Sequence, residues 1–286
     1  MGNLADIVLM LNAECNMHCN HCYVPYAGNR SQKEAVTIIK QLRAKGHKVI
    51  VAGAEVLLNP LYLKAYQAAE QNYLLTNGLL LNKTPSLFDE LKKHGITDIV
   101  LSLHFGIEKK LASVPDRIIS GVAREASKRG FNVRMTSMLT PDNYDDVLGM
   151  CQKAIDYGAK VLKFNNFVNS GRGKRHDDYA LASEQIQAIF AQVIKARKQF
   201  NKSQLTINLQ GAFGPRAGSA GEKLAAENKY CPAGKSLIAI APDNTIYGCP
   251  FMMEERLAIG RLVDGEIIIE KDLLSGKRDK CIANVV

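Results

Sequence analysis

The sequence predicts an α/β fold, a partial (βα)6 barrel followed by a small C-terminal β-hairpin extension. Three observations predict it. Between about residues 5 and 200, six short apolar runs alternate with segments of helical periodicity, the pattern of a parallel sheet with right-handed crossovers. Six βα units suffice for a curved, partly open barrel and fall short of an eight-fold one. After about Asn201 the character changes to short β runs punctuated by turns.

Taken in order, residues 7–11 read as a buried strand, 33–44 as an amphipathic helix, 48–52 as a second strand and 61–71 as a second helix. Strands follow at 73–76, 98–103, 132–138 and 160–164, with helical periodicity over 86–93, 118–128 and 144–157 between them. Residues 204–209 could add one more strand, and 211–221, rich in Gly and Ala, read as a loop. The β runs 237–241 and 245–248 flank the turn Pro242-Asp243-Asn244, and 267–269 follow the turn Asp264-Gly265. A boundary near residue 205 divides the chain into a barrel domain, 1–205, and an extension, 206–286.

The bulk numbers exclude several classes. A chain of 286 residues, 47% hydrophobic and 23% charged, is long enough for a large core and too apolar for disorder. It has no run of about 18 apolar residues, and its first residues lack the features of a signal peptide. A cytoplasmic protein with no membrane partner is expected. The net charge is +9, but the basic residues are scattered, with small clusters at 172–175 and 277–280. No basic stripe is interleaved with aromatics, so nucleic acid is not the expected partner. Seven cysteines, an odd number in a long chain, favour metal or redox chemistry over a disulfide framework.

Cys15-Asn-Met-His-Cys19-Asn-His-Cys22 follows the first strand directly. Three thiolates at Cx3Cx2C spacing can wrap one face of an iron–sulfur cubane, for which thiolates are the usual protein ligands. Three ligands leave one iron open to a substrate or cofactor. Structural zinc is the alternative, closed by a fourth donor such as His18 or His21. Cys231 and Cys249 flank the expected hairpin and Cys281 lies near the C-terminus; buried free thiols are the plain reading of that set. Cys151, in an expected helix, reads as structural.

The cysteine segment resembles the CxxxCxΦC signature of the radical S-adenosylmethionine (SAM) superfamily, with His21 at the aromatic Φ position. Gly53-Ala54-Glu55 resembles its GGE motif, with Ala54 for the second glycine, and Thr76-Asn77-Gly78 its TNG signature. Ser102-Leu103-His104 stands where relatives often carry Ser-Leu-Asp. Thr136-Ser137 and Asn165-Asn166 end the fifth and sixth strands, and Ser170-Gly171-Arg172-Gly173 resembles a Gly-Arg-Gly turn of relatives. The resemblance implies a [4Fe-4S] cluster on Cys15, Cys19 and Cys22, the catalytic cysteines, with SAM on the open iron. It implies SAM contacts at His21, Gly53, Ala54, Glu55, Asn77, Ser102, His104, Ser137, Asn165 and Arg172. Glu55 would be a positioning acceptor; a carboxylate at a helix N-terminus is its simpler reading. A flavodoxin- or ferredoxin-type donor would supply the electron that generates a 5′-deoxyadenosyl radical.

The C-terminal cysteines resemble a SPASM/twitch extension, which implies an auxiliary Fe–S cluster on Cys231, Cys249 and Cys281, with Asp279 as a candidate fourth donor. A chain that starts almost at the cluster motif leaves no place for the N-terminal peptide-recognition domain of many relatives. The expected substrate is a peptide or a small polar metabolite, to be oxidised, crosslinked or epimerised. The alternatives are a cofactor-precursor or tRNA-modifying radical SAM enzyme and a non-enzymatic, zinc-stabilised binding protein.

Overall fold

The computed structural model describes residues 6–24, 28–210, 213 and 233–271. Along the chain run β1 (Asp6–Met10), α1 (Gln32–Ala44), β2 (Lys48–Ala52), α2 (Leu63–Ala68), β3 (Tyr73–Thr76), α3 (Leu79–Lys83), α4 (Leu87–Lys93), β4 (Asp98–Ser102) and α5 (Glu108–Leu111). They continue with α6 (Asp116–Lys128), β5 (Asn132–Leu139), α7 (Val147–Asp156), β6 (Ala159–Asn166), α8 (Ser183–Gln199) and β7 (Thr206–Leu209). The C-terminal strands are β8 (Leu237–Ile240), β9 (Thr245–Tyr247), β10 (Ala258–Val263) and β11 (Glu266–Ile269).

Strands β3 to β7 form one sheet in sequence order, every pair parallel. The other sheet has the order β11-β10-β9-β8-β1-β2. In it β1 pairs parallel with both β2 and β8, and the remaining pairs are antiparallel. The chain is therefore the α/β partial barrel that the periodicity predicts, and its C-terminal strands continue the sheet of β1.

Between β2 and β3 a side chain replaces the ladder. The buried carboxamide of Gln71 accepts from Val51 N at 2.7 Å and donates to the carbonyls of Val51 and Tyr73, both at 3.0 Å. It thus satisfies backbone groups of both strands, as a buried sheet edge requires. The same stretch corrects one expected element. Residues 61–71 are not a single helix: two 3₁₀ turns, Val56–Leu58 and Pro60–Tyr62, precede α2. Asn59 caps Leu61 N with its side chain, Pro60 opens the second turn, and Glu70 at φ 54° ends the helix and releases Gln71 to β2.

Alternation gives each strand two faces. Ile7, Leu9, Val49, Ile99, Met135, Leu162 and Phe164 join a single core with helix residues such as Ile39, Ile119 and Phe190. The opposite faces look into the barrel lumen. On β1, β2 and β8 that face is apolar, with Val8, Met10, Ile50, Ala52 and Ala239 in one cluster. On β4 to β7 it is mainly polar, with Asp98, Ser102, Arg134, Thr136, Lys163, Asn165 and Asn208 interrupted by Val100 and Val161. Low in the lumen Arg134 pairs with the buried carboxylate of Asp98 and lies 5.9 Å from the Tyr73 ring centroid.

The β8–β9 turn is pinned to the start of α1. Arg30 is buried and donates to Ala241 O at 2.6 Å, Asn244 Oδ1 at 2.7 Å and Glu34 Oε1 at 2.6 Å. Among the described residues no helix is long and apolar enough to cross a membrane.

Candidate functional site

The cysteine loop leaves the C-terminal end of β1, where parallel α/β sheets hold their ligands. Loops from four other strands hold it in place. From β2, Glu55 N donates to Glu14 O at 3.0 Å and Ala54 N to Asn12 O at 3.1 Å. From β3, Asn77 Nδ2 donates to Asn16 Oδ1 at 2.8 Å and lies 3.7 Å from Cys15 Sγ. From beyond β4, Leu111 O and Lys110 O accept the backbone and side-chain N–H of Asn20, both at 2.9 Å. From β6, Arg172 donates its backbone N–H to Cys22 O and its Nε–H to Cys19 O, both at 2.9 Å, and Ser170 Oγ donates to Tyr23 O at 3.3 Å.

Asn12 is a contributor that the motif reading passed over. Its buried amide donates to Glu14 O and Glu55 O, both at 3.1 Å, so one side chain ties the start of the cysteine loop to the Gly53-Ala54-Glu55 turn. Gly53 leaves room for it: a Cβ there would sit 2.1 Å from Asn12 Oδ1. Its burial and its approach to Gly53 arise only in the fold, so no local pattern in the sequence marks it.

Glu55 is fully buried. Its carboxylate accepts from Leu57 N at 3.2 Å, Asn77 N at 2.9 Å and Thr76 Oγ1 at 3.0 Å to both oxygens. It caps the first 3₁₀ turn and ties the β2 loop to the end of β3. Burial raises its pKa, against the hydrogen bonds from Asn77, Leu57 and Thr76.

The thiols influence one another. Burial pushes Cys19 up to about 11, with Cys22 and Cys15 adding to the rise and the Arg172 guanidinium opposing it. Burial also raises Cys15, with Glu55 and Cys22 contributing. Three thiolates so close need a positive partner, which the irons of a cluster supply. Zinc would need a fourth donor closing a tetrahedron around one point. A cubane binds each thiolate on a different iron and needs only thiols spread over one face. The donor chemistry therefore fits an iron–sulfur cluster on Cys15, Cys19 and Cys22.

His21 and His104 form an edge-to-face pair with ring centroids 4.5 Å apart. Met138 N donates to His104 Nδ1 at 3.0 Å, so the proton of this neutral ring sits on Nε2. Burial, then the neighbouring His21, holds the His104 pKa well below its usual value. Burial, then Arg172, lowers His21 to about 4, and its buried Nδ1 makes no hydrogen bond.

Not every expected contact residue shares the lumen. Ser102, His104 and Asn165 lie on lumen-facing positions of β4 and β6 or just beyond. Ser137 lies on the opposite face of β5 with Met135 and Leu139, fully buried and with its Oγ unpartnered; Thr136, in register with Ser102, faces inward instead. Asn77, besides its contacts to the cysteine loop, accepts from Leu79 N and so opens α3. Cys151 is buried in the core on α7.

Cys231, Cys281 and Asp279 lie outside the described residues. Cys249 is buried just after β9. Burial raises the Tyr23 pKa, with Cys22 and Cys249 adding to it, and the Tyr23 ring meets Phe251 edge to face at 4.6 Å. Beside this contact a cleft of about 470 Å³ is lined by Val24, Gly171, Arg172, Lys174, Arg175, Met253, Glu254 and Glu255.

Comparison with known proteins agrees with this geometry. The radical SAM superfamily model matches residues 11–165, just over half the chain. By sequence no curated protein matches. The fold is similar to that of Streptococcus suis SuiB bound to the precursor peptide SuiA, with TM-score 0.66 and 16% identity over 94% of this chain and 63% of that one. SuiB bound to S-adenosylmethionine gives TM-score 0.67 and 16% identity over 94% and 64%. Histidine-tagged anSMEcpe with bound AdoMet gives 0.66 and 15% over 90% and 77%. The chain thus spans somewhat less than two thirds of the length of SuiB.

Proposed function

The chain belongs to the radical SAM superfamily, and from that premise we propose that it is an enzyme acting through a [4Fe-4S] cluster on Cys15, Cys19 and Cys22. When bound, the cluster and SAM supply a 5′-deoxyadenosyl radical, which removes a hydrogen atom from the substrate. The protein's part is to hold, orient and shield. Asn12, Asn20, Asn77 and Arg172 keep the three thiols presented at the barrel mouth. Glu55, already anchored by Leu57, Thr76 and Asn77, is a fixed negative group for an ammonium. Ser102, His104 and Asn165 line the polar wall beside it, with His21 packed edge to face on His104. The apolar face of β1, β2 and β8 gives the lumen one wall that offers water no hydrogen-bonding side chain.

The substrate we infer is a peptide or a small polar metabolite, leading to oxidation, crosslinking or epimerisation. Similarity of fold to structures bound to the SuiA precursor peptide and the Cp18Cys peptide supports the peptide reading. A flavodoxin- or ferredoxin-type protein would supply the electron. An auxiliary Fe–S cluster on Cys231, Cys249 and Cys281 is part of the proposal and rests on the cysteine pattern around the C-terminal hairpin.

The observation that carries the reading is the donor set: three thiols in one eight-residue segment, held at the barrel mouth by loops from four other strands. The test is anaerobic reconstitution, reduction in the presence of SAM and mass spectrometry for 5′-deoxyadenosine. Product in the wild type, abolished with the brown chromophore in the Cys15→Ala/Cys19→Ala/Cys22→Ala variant, supports the reading. Product that survives loss of all three thiols overturns it.

A further inference from the structure

We propose that Lys163 is a substrate-binding residue, the lumen cation that receives a carboxylate carried by the substrate; this deepens the radical SAM reading and rests on it. Lys163 lies on β6 between Leu162 and Phe164, both of which enter the helix-side core. Alternation therefore turns Lys163 to the lumen. Register sets it beside Thr136 on β5 and Asn208 on β7, and Thr136 is itself in register with Ser102 on β4. Lys163 thus stands in the layer of Ser102, on the polar wall that faces the apolar one of β1, β2 and β8.

Water reaches its side chain, yet desolvation, with no charged group opposing it, lowers its pKa. An exposed side chain on a lumen-facing position of β6 is open to a ligand that enters the barrel mouth. The other cation on this wall, Arg134, is held lower in the lumen by Asp98. Among the described residues no ion pair engages Lys163. A half-desolvated ammonium gains most from a partner brought by a ligand. One positive charge flanked by a hydroxyl and an amide suits a singly charged carboxylate. A phosphate, near −2, would call for a second free cation, and Arg134 is already neutralised.

A carboxylate in this lumen has two sources, the substrate and the methionyl end of SAM, and the test separates them. The reconstituted holoprotein is acetylated under anaerobic conditions with a water-soluble acetyl ester, and the rate at Lys163 is read by peptide-resolved mass spectrometry. Probes are N-acetylglutamate amide, its neutral counterpart N-acetylglutamine amide, and SAM alone. We expect the acid, at about ten times its Kd, to slow acetylation at Lys163 about tenfold, while the neutral amide leaves the rate unchanged. Slowing by SAM alone would assign the carboxylate to the cofactor and overturn the proposal. Equal rates with the acid and the amide overturn it as well.

Calorimetry on Lys163→Glu, checked for folding by circular dichroism, gives a second reading. It should favour N-acetyllysine amide over N-acetylglutamate amide, and unchanged preference for the acid counts against Lys163. Protection needs no turnover. Absence of 5′-deoxyadenosine in the wild type would therefore sink the radical SAM reading while leaving the protection result to stand or fall separately.

Discussion

Replacing Gly171 with alanine should unseat the clamp on the cysteine loop. Gly171 has φ 56°, a left-handed conformation that costs a residue with a Cβ about 1–2 kcal/mol. The added carbon would lie 2.5 Å from Cys22 O and 2.7 Å from Tyr23 C. Both are backbone atoms, so neither can swing aside as a side chain would. Relief requires residues 171 and 172 to withdraw, which breaks the bonds from Arg172 N to Cys22 O and from Arg172 Nε to Cys19 O. A neutral hydrogen bond contributes about 1 kcal/mol and one from a charged donor about 1.5–3 kcal/mol. With partial solvent access to Arg172 taken into account, the expected loss is about 3–5 kcal/mol.

Gly130 is the control. Its φ is also positive, 81°, but its Cβ would meet nothing within 4 Å, so Gly130→Ala should lose only the conformational part, about 1–2 kcal/mol. Urea melts of the apoproteins give the stability difference, and iron per chain after reconstitution shows whether the loop still accepts a cluster. Equal stability losses in the two variants, with wild-type iron in both, would refute the argument that Gly171 is there for the approach to Cys22.

Other consequences follow from the polar stitches. Arg30→Met removes the buried donor that ties the β8–β9 turn to α1 and should cost about 2–4 kcal/mol, with amide exchange accelerated first at residues 237–247. Gly53→Ala and Asn12→Ala act on the same contacts, so the double variant should lose little more than the worse single one; simple additivity in urea melts would contradict this. Burial raises the Asp98 pKa, but hydrogen bonds from Thr97 and Asn132 and the charge of Arg134 outweigh it and leave the net value depressed. A depressed carboxyl contributes stability above its unfolded pKa, about 3.9, and loses it as pH falls through the lower folded value. Stability should therefore drop below about pH 4, and Asp98→Asn should flatten that slope in urea melts collected across the range.

What the sequence reveals divides by range. The cysteine motif is local: three thiols in eight residues announce themselves, and the strand before them places them at the barrel mouth. The barrel shows in periodicity because each parallel strand buries one face under helices. Polar stitches do not show, because Gln71, Arg30 and Asn12 act on partners that only the fold brings near. The seventeen-residue α8 and the strand β10 have no counterpart among the expected elements, and α2 begins two residues later than the periodicity of 61–71 suggests. Ser137 and Thr136 show the limit of reading strand ends. A one-residue shift exchanges the two faces of a strand, and composition alone does not tell which of two adjacent hydroxyls looks inward. Lys163 did leave a signal, a cation set between the apolar Leu162 and Phe164.

The pairing of β8 with β1 bears on how any cluster at the C-terminal end can be tested. Without β8 to β11, β1 would be an exposed edge, and half of the apolar lumen wall would lose the residues packed on it. The C-terminal strands therefore support the cysteine loop's own strand whether or not they hold iron. Cys249 belongs to the helix-side core, so Cys249→Ala removes packing as well as a thiol. A fall in total iron on that substitution has two causes, a lost ligand and a loosened barrel. Iron per folded chain separates them. A lost auxiliary cluster lowers it in protein that still melts cooperatively, whereas loosened packing lowers iron and melting temperature together, and Cys249→Ser, which keeps most of the volume, then restores both.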